Sequence, residues 1–214
     1  MTQPNLNQNF FRDDDGQASF TDNFVGGSAL PGVAAVPTEP TPVGSFERHW
    51  LHTLAHVLSE EIQELSSAEK QSGAMLPPVT QAATGTILRT LCEKEAAQSV
   101  IQRRRLEQVR QMLGQPADGR TSQQIESLVL GLAETIHENN AGVARDLALL
   151  DGLRKMRQYE VARYCSARDF AQLLGLNPVA QLLQQSVDEL TTSEARLGLL
   201  AEILAAQTGL PDFL

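Results

Sequence analysis

Apolar residues recur at intervals of three and four along most of the chain after residue 46, which is the repeat of amphipathic helices. No segment alternates apolar and polar residues as a half-buried strand would. The pattern therefore predicts an all-α chain with five helices, the third shorter than the rest. Their apolar stripes cover residues 50–72, 88–113, 125–136, 149–171 and 179–204.

Turn-forming residues separate these stripes, at Thr84-Gly85, residues 114–119, Asn139-Asn140 and residues 175–178. Pro77-Pro78 follows the first stripe closely, and because proline lacks a backbone N–H we expect the first helix to stop or kink there. Four long helices joined by short turns, with a short helix in the middle connection, predict an antiparallel four-helix bundle over residues 47–207.

The first 46 residues differ in composition from the rest. They hold five of the ten prolines, five of the fifteen glycines and a formal charge of −4, and no periodic apolar face runs through them. Such a composition is typical of disordered or extended chain. We therefore expect residues 1–46 to form a disordered acidic N-terminal tail and residues 208–214 to form a short C-terminal tail.

Aromatic residues in the N-terminal tail argue against a plain linker. Phe10, Phe11, Phe20 and Phe24 lie there, although the whole chain has only seven phenylalanines and disordered tails are usually poor in aromatic residues. With the acidic residues beside them, these rings could anchor a docking peptide in the groove of a protein partner. Alternatively, they fold back onto the body of the same molecule or its oligomer.

Charge and composition exclude several classes of function. The formal net charge of −9 argues against a dedicated nucleic-acid binder, and no apolar run is long enough to span a membrane. Two cysteines can form at most one disulfide, which is too few for a disulfide-stabilised fold of 214 residues. The N-terminus lacks the basic-then-apolar order of residues that a secretory signal has. We therefore expect a soluble cytoplasmic protein. No nucleophile motif or phosphate loop indicates an enzyme.

The remaining reactive residues form no obvious site. His49, His52 and His56 lie near the start of the first helix, apart from His137 and from the two cysteines, so they form no shared ligand set. Cys92 and Cys165 are interpreted as small packing residues inside helices. The run of arginines at 103–105 is interpreted as a solvated face, because successive residues point around the helix in different directions.

Each long helix carries a carboxylate on or beside its apolar stripe, at Glu69, Glu95, Glu160 and Glu189. Four inward carboxylates at a similar depth are the skeleton of a two-metal centre in a bundle, and hard oxygen ligands suit iron or manganese. With 26 acidic residues in a largely helical chain, some will also lie beside an apolar stripe by chance and reach solvent. The periodicity alone leaves both interpretations open.

Four stretches of the chain, in this order, carry a resemblance to a known family: Ala-Glu-Lys-Gln at 68–71 before Leu-Pro at 76–77; Arg-Leu-Glu-Gln-Val at 105–109; Lys-Met-Arg-Gln-Tyr-Glu-Val-Ala-Arg-Tyr at 155–164; and Leu-Leu-Gln-Gln-Ser-Val-Asp-Glu at 182–189. On these stretches, most of residues 50–207 resembles the YciE/YciF family of bacterial ferritin-like proteins, which is associated with stress responses. The resemblance implies a ferritin-like bundle with metal-binding carboxylates and histidines on all four long helices.

The chain departs from this family pattern at the metal ligands. Glu95 and Gln98 stand where the family has histidine and glutamate, Arg157-Gln158 replaces Glu-His, and Leu190 replaces a second carboxylate on the last helix. A fixed cation such as Arg157 can neutralise clustered carboxylates in place of a metal. We therefore expect a metal-free or weakly binding site, held by a network of Arg157 with Glu69, Glu95, Glu160 and Glu189.

Three functions remain open. One is a two-metal protein of stress defence that oxidises iron or handles peroxide, with iron or manganese as cofactor. Another, which we favour, is a descendant without metal that acts as a binding or assembly module and docks through its N-terminal tail. The third is a purely structural homo-oligomer, since bundles often pair through an exposed helix face.

Overall fold

The computed structural model describes residues 45–115, 121–138 and 140–207, and within these ranges it contains helices and no strand. The all-α prediction is confirmed. None of the described helices is both long and apolar enough to cross a membrane. The predicted tails fall outside the described residues, apart from 45 and 46, which begin the first helix. The helices are α1 (Ser45–Ala82), α2 (Thr86–Met112), α3 (Gln123–Glu138), α4 (Val143–Leu173) and α5 (Asn177–Gln207).

The four long helices form an antiparallel bundle in which α1 and α5 each pack between α2 and α4. Helices α1 and α4 run antiparallel, because Glu69 is hydrogen-bonded to Tyr164 and the later residue Ser72 is hydrogen-bonded to the earlier residue Glu160. The shorter α3 packs on α1 and α4, in the connection that carries the chain from the end of α2 to the start of α4. One long crossover of this kind is the ferritin-like arrangement, as expected.

Helix α1 continues through Pro77-Pro78 and ends at Ala82. Of the two expected outcomes, a stop or a kink at the prolines, the stop is therefore wrong. Both prolines lie on the exposed face, whereas Leu76 and Val79 on either side are fully buried in the core. A proline inside a helix costs about 3 kcal/mol because its N–H is missing and its ring crowds the preceding turn. Packing of the flanking apolar residues outweighs this local preference.

The apolar core consists of two halves stacked along the bundle. Tyr164 belongs to the half built around the α4–α5 turn, and Met156 belongs to the half near the α1–α2 turn. Between them α4 presents Arg157 and Glu160, both buried. Trp50 is 48% exposed although it lies on the predicted apolar stripe, and the buried core begins about two turns further along α1, at Leu58.

A buried carboxylate fixes one end of the bundle. Asp146, in the first turn of α4, accepts hydrogen bonds from the backbone N–H groups of Thr84 (2.8 Å) and Gly85 (2.7 Å). The hydroxyl of Thr84 in turn accepts the N–H of Gly142 at 3.0 Å. The α1–α2 turn is thereby tied to the start of α4.

We expect the substitution Asp146→Ala to lower the free energy of unfolding by about 2–4 kcal/mol, because two backbone N–H groups of the α1–α2 turn lose their buried carboxylate acceptor. Chemical denaturation followed by circular dichroism measures this loss. Asp151→Ala on the same helix is the matched control, since Asp151 pairs with Lys155 at the exposed surface and such pairs contribute about 0–1 kcal/mol. Equal effects of the two substitutions would contradict an anchoring role for Asp146.

Candidate functional site

A layer of polar side chains crosses the bundle between the two apolar halves. All four long helices contribute to it, because each apolar stripe is interrupted by a polar residue at this depth. Every member is at most 5% exposed. Around such groups the effective dielectric constant is low, so each charge needs a partner. The layer comprises Glu69 and Ser72 from α1, Glu95, Ser99 and Gln102 from α2, Arg157, Glu160 and Tyr164 from α4, and Ser186 and Ser193 from α5.

Arg157 lies at the centre of the layer and is 1% exposed. Its Nε donates to Glu95 Oε2 at 3.2 Å, and its Nη1 donates to Glu160 Oε2. The carboxylates raise the pKa of Arg157 above its ordinary value even though burial acts to lower it. The guanidinium therefore joins α2 to α4 as a permanent cation.

Two serines donate further hydrogen bonds to these carboxylates. Ser193 Oγ on α5 donates to Glu95 Oε2 at 2.5 Å, and Ser72 Oγ on α1 donates to Glu160 Oε1 at 2.6 Å. Each carboxylate thus receives a charged donor from Arg157 and a hydroxyl donor from another helix. Buried ion pairs are stable only with additional hydrogen bonds of this kind.

Glu69 is fully buried and lacks such a charged donor. Tyr164 donates its hydroxyl to Glu69 Oε1 at 3.0 Å, whereas Oε2 has no hydrogen-bond partner among the described residues. Burial, reinforced by the nearby charge of Glu160 and opposed by Arg157, raises the pKa of Glu69 to about 8. The raised pKa favours the protonated, uncharged form of Glu69 at neutral pH.

Glu189 departs from the predicted network. Its two carboxylate oxygens each accept a hydrogen bond from Arg105 at 2.8 Å, and Gln102 donates to it at 3.4 Å. The Arg105 hydrogen bond lowers the pKa of Glu189. Arg105 also donates to Ser186, so it belongs to the rim of the layer rather than to a solvated face. In the sequence, the sign that Arg105 lies near the core is its position next to Leu106, which is buried.

The residues of the layer do not fit the two-metal centre that the fold implies. One carboxylate oxygen of Glu95 and one of Glu160 are already bonded to the guanidinium of Arg157, whose charge repels cations. In the described parts of the chain, no group of three or more His, Cys, Asp or Glu is placed to hold a metal ion. All four histidines are exposed, and burial raises the pKa of the Cys92 thiol to about 12.

The residues predicted to dock a protein partner belong to the N-terminal tail. Phe10, Phe11, Phe20 and Phe24 lie outside the described residues, so their docking role stays a prediction.

Four antiparallel helices with one crossover, closed around a buried ionic layer, define a ferritin-like bundle. The model of DUF892, a domain family of unknown function, matches residues 53–209, and the chain belongs to that family. No curated protein matches the chain.

Two solved structures share the fold. The chain is 23% identical to the stress protein YciF of E. coli, with 72% of this chain and 97% of that chain covered and a TM-score of 0.69. It is 25% identical to YcfI of Rhodopseudomonas palustris, a proposed structural protein, with 69% and 94% covered and a TM-score of 0.66. The resemblance to the YciE/YciF family is confirmed.

The protonated carboxyl of Glu69 predicts a dependence of stability on pH. Its pKa is about 8 in the folded chain against an ordinary 4.5, so the folded state retains a proton that the unfolded state releases between these values. The contribution of Glu69 to stability therefore falls as pH rises from 4.5 to 8. Glu69→Gln mimics the protonated form at every pH. We therefore expect the free energy of unfolding of the variant, relative to that of the wild type, to increase by roughly 3–5 kcal/mol as pH rises through this range.

Denaturant unfolding at several pH values from 4 to 9 measures this difference. Glu93→Gln, at an exposed position of α2, is the matched control and should follow the wild type at every pH. A difference between Glu69→Gln and the wild type that stays constant with pH would show that Glu69 is ionised in the folded chain.

Proposed function

We propose that this protein is a stress-associated ferritin-like bundle in which an ion-pair layer has replaced the two-metal centre, and that the bundle acts as a binding and assembly module. The observation that carries the proposal is the guanidinium of Arg157, which is bonded to Glu95 and Glu160 in the middle of the layer. The association with stress rests on the relation to YciF, which is described as a stress protein.

Charge balance supports the loss of the metal centre. A two-metal centre needs enough anionic and imidazole ligands to replace two hydration shells. Here Glu95 and Glu160 are compensated by Arg157, and burial raises the pKa of Glu69 to about 8, which favours its neutral form without a metal ion. Glu189 compensates Arg105. Each carboxylate expected to bind metal can thus be neutralised by an arginine of this chain or by a proton.

A bundle held in this way suits a scaffold better than a catalyst. Arg157 and the hydroxyl groups of Ser72 and Ser193 already donate to oxygens of Glu95 and Glu160, so these oxygens are not free to bind a metal ion. A catalytic metal site, in contrast, keeps a position for water or substrate. Binding would then fall to residues outside the helices, and the N-terminal segment with Phe10, Phe11, Phe20 and Phe24 beside acidic residues has the composition of a docking peptide.

Metal binding separates this proposal from a functional two-metal protein. We expect protein purified from cells supplied with iron and manganese to contain far less than one metal ion per chain, measured by plasma mass spectrometry. We also expect added Mn²⁺ to leave the thermal midpoint unchanged, because a ligand stabilises only the folded state that it binds. Stoichiometric metal in the wild-type protein would overturn the proposal.

The variant Arg157→Gln tests directly whether the guanidinium of Arg157 prevents metal binding. Removing the guanidinium leaves Glu95 and Glu160 without their charged donor, so Mn²⁺ should now raise the thermal midpoint. Arg154→Gln is the matched control, because Arg154 pairs with Glu194 near the surface one turn earlier on α4. If Arg157→Gln fails to fold, the wild-type metal content still decides between the two proposals.

The N-terminal segment is tested by substitution in the full chain. We expect the wild type to form complexes that cross-linking captures in stressed cells, and we expect the fourfold change of Phe10, Phe11, Phe20 and Phe24 to serine to abolish them. The bundle should keep its thermal midpoint. The control changes Asp13, Asp14 and Asp15 to asparagine, which retains the aromatic anchors. Complexes that persist without the phenylalanines would contradict docking, and loss of self-association alone would indicate a structural oligomer.

A further inference from the structure

An apolar groove lies between α2 and α5 at the end of the bundle where α2 begins and α5 ends. Its volume is about 400 Å³. Three of its apolar side chains are unusually exposed: Ile87 (65%), Leu199 (58%) and Ile203 (43%). Lys94 and Arg196 line the groove beside them. Apolar side chains clustered at a groove with a basic edge indicate a surface that another segment covers.

We propose that residues 208–214 of the same chain fold back and cover this groove. Helix α5 ends at Gln207, so the segment starts beside the groove. Leu199 lies eight residues before the end of α5, a distance of about 12 Å along the helix. Seven residues of extended chain span about 23 Å. The segment is therefore long enough to return along α5 to Leu199.

The chemistry of the segment matches that of the groove. Leu210 and Phe213 supply apolar side chains for the exposed aliphatic residues, and Asp212 supplies a negative charge for Lys94 and Arg196. Gly209 and Pro211 are residues that favour the reversal of direction the path requires.

The phenylalanines of the N-terminal segment are less well placed for this groove. Helix α1 is antiparallel to α2 and ends at Ala82, close to Thr86 at the start of α2. Ser45 therefore lies at the opposite end of the bundle, and Phe24 is a further 21 residues away along the chain. A short tether gives the higher effective concentration, which favours residues 208–214.

Methyl NMR of the isoleucines tests the proposal in the full chain. We expect the double variant Leu210→Ser/Phe213→Ser to shift the δ1 methyl resonances of Ile87 and Ile203, since both lose a covering side chain. The resonances of Ile62 and Ile125, which are fully buried elsewhere, should stay in place and report an intact fold. The matched control, Phe20→Ser/Phe24→Ser, should leave all four resonances unchanged.

Disulfide trapping provides a second measurement that does not remove apolar contacts. We expect Leu199→Cys/Phe213→Cys to form an intramolecular disulfide under a mild oxidant such as oxidised glutathione, at a rate independent of protein concentration. Leu173→Cys/Phe213→Cys is the control, because Leu173 is equally exposed (60%) but lies at the opposite end of the bundle.

Three results would overturn the proposal. Shifts of Ile87 and Ile203 in the Phe20→Ser/Phe24→Ser variant would assign the groove to the N-terminal segment. Shifts that vary with dilution, or disulfides between two chains, would assign it to a second copy. Unchanged resonances together with equal trapping of Leu199→Cys and Leu173→Cys would show that residues 208–214 do not occupy the groove.

Discussion

The burial of one positive charge constrains the arrangement of the whole bundle. Arg157 is almost completely removed from water, and such a charge is tolerated only when carboxylates and further hydrogen bonds surround it. Glu95 on α2 and Glu160 on α4 meet this requirement, and hydroxyl groups from α1 and α5 bond the same carboxylates. Sliding any one long helix by a turn would leave a buried charge or hydroxyl unpaired. The layer therefore fixes the axial register of all four.

The layer in turn depends on the apolar halves on either side of it. These halves exclude water, which strengthens the ion pairs of Arg157 but raises the cost of an unpaired carboxylate. Glu69 illustrates that cost, because its second oxygen has no partner among the described residues and its pKa rises to about 8. The low dielectric constant around Glu69 thus favours the neutral form of this carboxyl.

The sequence was sufficient for the fold and for part of the site. Stripes such as 149–171 identified the buried face of each helix, because burial of one helical face imposes a repeat that local composition displays. The predicted stop of α1 at Pro77-Pro78 was wrong because tertiary packing of Leu76 and Val79 outweighs local helix propensity. The Arg105–Glu189 pair was missed because a stripe shows which residues face inward but not which long side chain reaches across to a neighbouring helix.

If Arg157 takes the place of a metal, as proposed, this has a consequence for where function can reside. A metal ion can exchange ligands and change its oxidation state, whereas a guanidinium is always charged and can do neither. Under the proposed function, the centre of the bundle therefore contributes rigidity and register but no chemistry. Selectivity must then come from surfaces whose contacts can form and break. The exposed groove beside Ile87 and Leu199, together with the segments that precede α1 and follow α5, supplies such surfaces.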